Sequence, residues 1–179
     1  MDRSSNHFEL FGVPVGFDID TSQLAEKYRE LQRVLHPDRF ANATDRERRL
    51  SVQQAARVNE AYQTLRSPLR RARYLLELRG VEFDDERQTH LDPEFLMAQM
   101  ELREALATVR GEADPFAALN RLMTALARER QALEAELTQQ LAKTDDEAAL
   151  EAARQLVQKL QFFARLQEEA EELEESLLD

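Results

Sequence analysis

Residues 31–47 read LQRVLHPDRFANATDRE, and this stretch ends one patterned helix and begins another. Its centre is the tripeptide HPD at positions 36–38. Proline has no backbone N–H and disfavours the helical conformation of the residue before it, so the first helix is predicted to end at Leu35. Thr44 and Glu47 have the T-x-x-E spacing of a capping box, which predicts the start of the second helix.

The helices on either side of the tripeptide each carry one apolar stripe. Apolar residues recur at spacings of three and four over residues 21–35 and again over residues 44–66. Two such helices joined by a short loop are expected to pack antiparallel, with the tripeptide at the exposed tip of the hairpin. Arg29 and Arg33 lie one turn apart on the opposite side of the first helix. The stripe residues are Leu24, Tyr28, Leu31 and Leu35 in the first helix and Ala55, Val58, Tyr62 and Leu65 in the second.

The remaining chain is also predicted to be mostly helical. The sequence has 179 residues with 4 glycines and 5 prolines, and its C-terminal half is rich in Ala, Glu, Leu, Arg and Gln, which is typical of an all-α protein. We divide it into a first domain, residues 1–80, a connection, residues 81–91, and a second domain, residues 92–179. The first domain contains the hairpin and short accessory helices, and the second is predicted to be an antiparallel three-helix bundle. The bundle helices are expected to start at Asp92-Pro93, Asp114-Pro115 and Thr144-Asp145.

Composition excludes several classes of site. The sequence contains no cysteine, so disulfides, thiolate nucleophiles and thiolate metal ligands are excluded, and its 3 histidines are too scattered to build a metal centre. No apolar run approaches the roughly 20 residues that span a bilayer. The first residues lack the pattern of a signal or transit peptide. We therefore expect a cytoplasmic protein that holds no cofactor and no metal.

Charge is distributed unequally along the chain, whose net charge is -11. Residues 1–80 carry 14 Lys/Arg and 11 Asp/Glu, a net charge of +3, whereas residues 81–179 carry 10 and 24, a net charge of -14. The two halves are expected to meet different partners. The first half lacks the dense basic patch of a nucleic-acid-binding protein. The acidic run over residues 168–175 is interpreted as the solvated flank of the last helix.

Three large apolar side chains of the second domain are predicted to point away from its core. They belong to the helix that contains FLMAQMELREAL, residues 95–106. Leu96, Met97 and Met100 lie about 100° to 200° around the helix from the buried stripe. Single exposed apolar residues are common on protein surfaces, but a methionine-rich patch rimmed by acids is typical of an adaptable protein-docking surface. The acids on the same surface are Glu101 and Glu104.

Phe162 in the last helix is predicted to add to this surface. It lies about 100° from its neighbour Phe163, and we expect only one of the two rings to point into the bundle seam. If the bundle brings Phe162 beside Met97 and Met100, these side chains form one patch.

A histidine beside an aspartate also suggests acid–base chemistry for the tripeptide. Catalysis needs a third group and a site that excludes water, and an exposed hairpin tip cannot exclude water. The sequence contains no G-x-S-x-G elbow and no glycine-rich phosphate-binding loop. We therefore predict that the chain is not an enzyme and has no catalytic residue. A simple turn and a contact site for another protein remain, and we favour the contact site.

The sequence also resembles a known family. A helix, the HPD tripeptide and a second helix ending in VNEAYQTL from Val58 resemble the J-domain, the co-chaperone module that stimulates ATP hydrolysis by seventy-kilodalton heat-shock chaperones. The segments SPLRRARYLLELRG from Ser67, FLMAQMELREAL, and KLQFFARL from Lys159 resemble the HscB family of iron–sulfur cluster assembly co-chaperones. The resemblance implies a J-domain in the first domain and a scaffold-binding bundle in the second.

The resemblance also implies two partners. The first is an HscA-type chaperone, whose ATPase domain would contact His36, Pro37, Asp38 and the basic face of Arg29 and Arg33. The second is an IscU-type scaffold protein, which the co-chaperone would deliver to that chaperone while stimulating its ATP hydrolysis. The scaffold-binding residues that the resemblance implies are Leu96, Met97, Met100, Glu101, Glu104 and Phe162.

Two departures from the family pattern are visible. Ala98 and Thr108 stand where some relatives are expected to carry acids, so we expect a thinner acidic rim. The N-terminal cysteine-rich module and the transit peptide of some eukaryotic relatives are missing, which implies a bacterial member. Two other functions fit the sequence: a general J-domain co-chaperone for unfolded clients, and a non-catalytic helical assembly protein that uses its last helix.

Overall fold

In the computed structural model, residues 6–36, 44–83, 92–143 and 146–178 are described. Within these ranges the regular structure is helical and no residue belongs to a strand, so the predicted all-α class is confirmed. The chain divides into two compact units, unit 1 (Met1–Arg79) and unit 2 (Gly80–Asp179). No helix in the described ranges is long and apolar enough to cross a membrane. The helices are α1 (His7–Phe11), α2 (Thr21–Leu35), α3 (Asp45–Arg66), α4 (Pro68–Leu78), α5 (Pro93–Thr108), α6 (Pro115–Leu141) and α7 (Glu147–Leu178), with a 3-10 turn at Val109–Gly111.

Side-chain caps start the two long helices of unit 1. At α2, the Asp20 carboxylate accepts hydrogen bonds from the backbone N–H groups of Ser22 and Gln23 at 2.9 and 3.0 Å. At α3, Thr44 and Glu47 form the predicted capping box, in which each accepts the other's backbone N–H, at 3.3 and 2.8 Å. The Thr44 hydroxyl and backbone bonds hold the pKa of the Glu47 carboxyl below its usual value. These local bonds satisfy N–H groups that a helix start leaves without partners.

Helices α2 and α3 form the predicted antiparallel hairpin. Tyr28 lies against Tyr62 and Gln32 against Asn59, so residue numbers rise along α2 as they fall along α3. His36 follows α2 with φ -59° and ψ 131°, which is the extended conformation expected for a residue before proline. The other two residues of the tripeptide lie outside the described residues. The buried residues of the two helices are Leu24 and Leu35 in α2 and Ser51, Val58, Ala61 and Leu65 in α3.

A buried arginine ties α4 to the hairpin. Arg71 is 6% exposed, and its Nε–H donates to the Phe17 carbonyl at 2.7 Å while Nη1 donates to the Leu65 carbonyl at 2.5 Å. Its guanidinium carbon also lies 5.1 Å from the centroid of the Phe17 ring. The Leu65 carbonyl belongs to the last turn of α3, where carbonyls have no partner within their own helix. Arg71 therefore joins the end of α3 to the loop that precedes α2.

Helix α1 packs against α4 through a histidine and a tyrosine. The His7 and Tyr74 rings are stacked with centroids 4.2 Å apart, and the His7 backbone N–H donates to the Tyr74 hydroxyl at 3.0 Å. Burial lowers the pKa of the His7 imidazole, with Glu60 raising it and Arg57 lowering it to smaller degrees. The docked conformation thus favours the neutral ring.

Unit 2 is the predicted bundle of three helices. Asp92 and Asp114 cap α5 and α6, each followed by a proline at the first helical position. The third predicted start, residues 144–145, lies outside the described residues, and Asp146 accepts the N–H groups at the beginning of α7. Helix α7 buries a broader face than a single stripe. Its buried residues are Ala149, Ala153, Leu156, Val157, Leu160, Phe162, Phe163, Leu166 and Ala170.

We predict that the stability of unit 1 falls as the pH is lowered below about 6.5 because of His7. The folded state lowers the pKa of this ring, so below the ordinary value of 6.5 the unfolded chain binds the proton more readily. His7→Phe keeps an aromatic ring against Tyr74 without a titrating group. Its melting temperature is expected to change less between pH 7 and pH 5 than that of the wild type. Equal pH dependence in the two proteins would show that His7 does not contribute.

Candidate functional site

The basic face of unit 1 lies on α2. We use this name for Arg29, Arg33 and His36, all of which are exposed. Arg29 and Arg33 are one turn apart, and His36 follows at the end of the helix, so the three side chains run toward the tip of the hairpin. Pro37 and Asp38, which were predicted to share this site, lie outside the described residues.

A polar network joins the edge of this face to α3. The Tyr28 hydroxyl donates to Asn59 Oδ1 at 3.0 Å and accepts from Gln32 Nε2 at 2.9 Å. Gln32 Nε2 also lies 2.5 Å from Asn59 Oδ1. The ring of Tyr28 also stacks on the ring of Tyr62, with centroids 4.0 Å apart and planes 9° from parallel. Both tyrosines belong to the predicted buried stripes, whereas neither Gln32 nor Asn59 was predicted from the sequence to join the site.

The apolar patch of unit 2 lies on α5. We use this name for Leu96, Met97 and Met100, whose exposed fractions are 45%, 64% and 73%. Their outward orientation is as the helical positions predict, since Leu106 and Val109 of the opposite face are buried. Glu101 and Glu104 are also exposed. An exposed group of large apolar side chains next to carboxylates has the composition of a protein-docking surface.

The expectation that Phe162 faces outward was wrong. Phe162 is 9% exposed and belongs to the bundle core together with its neighbour Phe163, which is 5% exposed. Both rings lie against Phe95 of α5, with centroid separations of 5.8 and 6.1 Å. The inward arc of α7 is wider than the 100° between neighbouring residues, because α7 packs in a bundle with two other helices. Phe162 therefore supports α5 from beneath.

Two cations that the sequence analysis did not assign to the site cover these rings. The guanidinium carbon of Arg103 lies 5.7 Å from the Phe162 centroid, and Nζ of Lys159 lies 5.2 Å from the Phe95 centroid. Both distances are within the range of cation–π attraction. Arg103 is three residues after Met100 and seven after Leu96, so it borders the apolar patch on the same helix. Both contacts join residues of different helices, so no local spacing in the sequence identifies them.

Two family profiles match this chain, one in each unit. A family profile described as "DnaJ domain" matches residues 6–74, and one described as "HSCB C-terminal oligomerisation domain" matches residues 91–171. The co-chaperone protein HscB homolog of Shewanella baltica (strain OS195) is 51% identical over 174 residues, which cover 97% of this chain and 99% of that protein. The chain belongs to the HscB co-chaperone family. The suspected family is thereby confirmed, and residues 6–74 form a J-domain.

Solved structures of HscB proteins have the same fold. The Vibrio cholerae HscB chaperone is 46% identical and superposes with a TM-score of 0.86, over 97% of this chain and 99% of that one. The human HscB co-chaperone is 29% identical with a TM-score of 0.88, over 97% of this chain and 84% of that one.

Ala98 and Thr108, the two departures from the expected HscB pattern, both lie on α5. Ala98 is half-buried, whereas Thr108 is exposed and its hydroxyl donates to backbone carbonyls of α5, those of Glu104 and Ala105, at 3.0 and 3.1 Å. Neither residue adds charge to the surface of α5. Glu101 and Glu104 are exposed on this helix, and so is Glu94, three residues before Met97. The thinner acidic rim stays a prediction.

We predict that Phe162→Ala lowers the stability of unit 2 whereas Met100→Ala does not. Removing a buried aromatic ring costs about 3 to 5 kcal/mol through lost burial and the cavity left behind. Met100 is 73% exposed, so truncating it removes little buried surface. Thermal unfolding of the two variants checks this, and equal melting temperatures would contradict the buried placement of Phe162.

Proposed function

We propose that this chain is an adaptor between an IscU-type iron–sulfur scaffold protein and an HscA-type heat-shock chaperone. Unit 2 binds the scaffold, and unit 1 stimulates ATP hydrolysis by the chaperone. The observation that carries the proposal is the apolar patch, which is exposed on α5 in a chain whose other unit is a J-domain. A J-domain without a second surface would bring no particular client.

The scaffold is proposed to bind over the apolar patch. Leu96, Met97 and Met100 are large, adjacent and exposed, so covering them removes apolar surface from water. Methionine side chains adapt to the shape of a partner. Glu101 and Glu104 border these residues and favour a partner with basic groups around an apolar segment. Phe162 contributes by holding α5 in place through its contact with Phe95.

The chaperone is proposed to bind along the basic face and the tripeptide. Arg29 and Arg33 project from α2 as exposed guanidinium groups, which suit an acidic protein surface. His36, Pro37 and Asp38 follow at the end of the helix and contact the ATPase domain, where they favour hydrolysis. The reaction belongs to the chaperone, since this chain supplies contacts and no catalytic group.

Joining the two surfaces in one chain supplies the client to the chaperone. When one chain holds both partners, the second encounter becomes intramolecular and the effective concentration of scaffold at the chaperone rises. Hydrolysis then traps the scaffold in the chaperone's peptide-binding site. The ligands of the iron–sulfur cluster belong to the scaffold, because the present sequence contains no cysteine. Residence in the cytoplasm of a bacterium stays a prediction.

One observation favours a second candidate function. The family profile that matches residues 91–171 is described as an oligomerisation domain. This description favours the helical assembly protein considered above, for which a stable homo-oligomer in light scattering is the distinguishing sign. A general co-chaperone for unfolded clients is distinguished by competition of denatured protein for the apolar patch.

His36→Gln is expected to abolish stimulation of the chaperone's ATPase while leaving the fold intact. His36 is exposed at the end of α2, so its replacement disturbs little packing. Steady-state ATPase assays of a cognate chaperone measure the effect, and circular dichroism of the variant controls for folding. Normal stimulation by a folded His36→Gln protein would exclude the proposed role of the tripeptide.

The double variant Leu96→Ala/Met97→Ala is expected to weaken scaffold binding about tenfold or more, since central apolar anchors dominate interfaces. Titration calorimetry with a purified scaffold protein measures the affinity. Val52→Ala is the matched control, because Val52 in α3 has the same exposed fraction as Met97, 64%. Unchanged affinity of the double variant would show that the apolar patch is not the scaffold-binding site.

A further inference from the structure

Apolar packing holds α2 against α3 with less dependence on angle than polar contacts have. Leu24 and Leu35 are buried in the hairpin, and the stripe keeps the two helices together. Burial of apolar surface is nondirectional, so a small rotation about the helix axis changes it little. Hydrogen bonds and stacked rings, by contrast, depend on angle as well as distance.

The polar network between α2 and α3 adds contacts that depend strongly on angle. Tyr28, Gln32 and Asn59 form a closed triangle in which the three oxygen and nitrogen atoms lie 2.5 to 3.0 Å apart. The Tyr62 ring lies flat against Tyr28 and limits its tilt. Two positions on α2, one turn apart, are thus attached to one position on α3. A rotation of α2 would break both attachments.

The residues of α2 that make these hydrogen bonds are adjacent in sequence to residues of the basic face. Arg29 directly follows Tyr28, and Arg33 directly follows Gln32. His36 lies one turn beyond Gln32, at the end of the same helix. A rotation of about 20° moves a side-chain tip about 6 Å from the helix axis by about 2 Å, which is enough to misalign a binding surface.

We propose that Tyr28, Gln32 and Asn59 are positioning residues, which fix the rotation of α2 on α3 and thereby hold Arg29, Arg33 and His36 in the orientation that the chaperone binds. The proposal rests on the proposed function of unit 1. Tyr28 and Gln32 are half-buried and Asn59 is exposed, so the network adds little to overall stability. Its contribution is to orientation.

The experiment compares substitutions that remove or keep the acceptor on α3. Asn59→Leu removes the Oδ1 acceptor of both hydrogen bonds, whereas Asn59→Asp keeps an oxygen there. Gln63→Leu is the matched control, since Gln63 is an exposed amide one turn further along α3. Each full-length variant is assayed for ATPase stimulation over a range of concentrations and for thermal unfolding.

Asn59→Leu is expected to raise the concentration needed for half-maximal stimulation roughly threefold to tenfold, the factor that corresponds to the net energy of about one hydrogen bond. The maximal rate is expected to be retained at saturation, because His36 itself is unchanged. Asn59→Asp and Gln63→Leu are expected to behave as the wild type. A wild-type response from Asn59→Leu, or an equal loss from Gln63→Leu, would overturn the proposal.

A second measurement separates positioning from direct contact with the chaperone. The NMR signals of the Arg29 and Arg33 Nε–H groups are recorded in the free protein, without any partner. Asn59→Leu is expected to shift both signals and Asn59→Asp to restore them. Unchanged arginine signals in Asn59→Leu would overturn the proposal even if stimulation were lost. If the wild type stimulates no chaperone, the proposed function fails, while the arginine signals still decide whether the network orients α2.

Discussion

Tyr28 of α2 stacks on Tyr62 of α3 with ring centroids 4.0 Å apart, and what unit 1 presents to a partner depends on this contact. The stacked rings connect the apolar stripes, which hold the two helices together, with the hydrogen bond between Gln32 and Asn59. That bond is the one we propose fixes the rotation of α2 on α3. The capping bonds define where α2 and α3 begin. Arg71 joins the end of α3 to the loop that precedes α2. The resulting surface is polar and basic on α2, which suits binding without burial of a large apolar area.

In unit 2, an aromatic core supports a helix whose apolar patch is exposed. Its core takes in both Phe162 and Phe163, and these rings support α5 so that the apolar patch can remain exposed. Arg103 and Lys159 cover the aromatic edges through cation–π contacts. A rigid support beneath adaptable side chains allows an exposed patch to bind without reorganisation of the bundle. The division of charge between the units, positive in the first and strongly negative in the second, fits two different partners.

Much of this arrangement could be predicted from the sequence because it depends on local interactions. The predicted helix starts at Thr44 and Asp92 follow from side chains that bond to N–H groups two or three residues away. The outward orientation of Met100 follows from helical periodicity alone. Phe162 could not be predicted in this way, because its burial depends on how much of α7 is covered by its neighbours. The bond between Gln32 and Asn59 joins residues 27 apart, so it depends on helix rotation, which no local pattern specifies.

The claim that one chain acts on two partners at once is tested most directly by the chaperone's ATPase rate. The rate of an HscA-type chaperone is measured alone, with this protein, with an IscU-type scaffold protein, and with both together. If one chain holds the scaffold at the chaperone, the stimulation by both is expected to exceed the sum of the separate stimulations. A rate equal to that sum would contradict a linked adaptor and leave two independent binding surfaces.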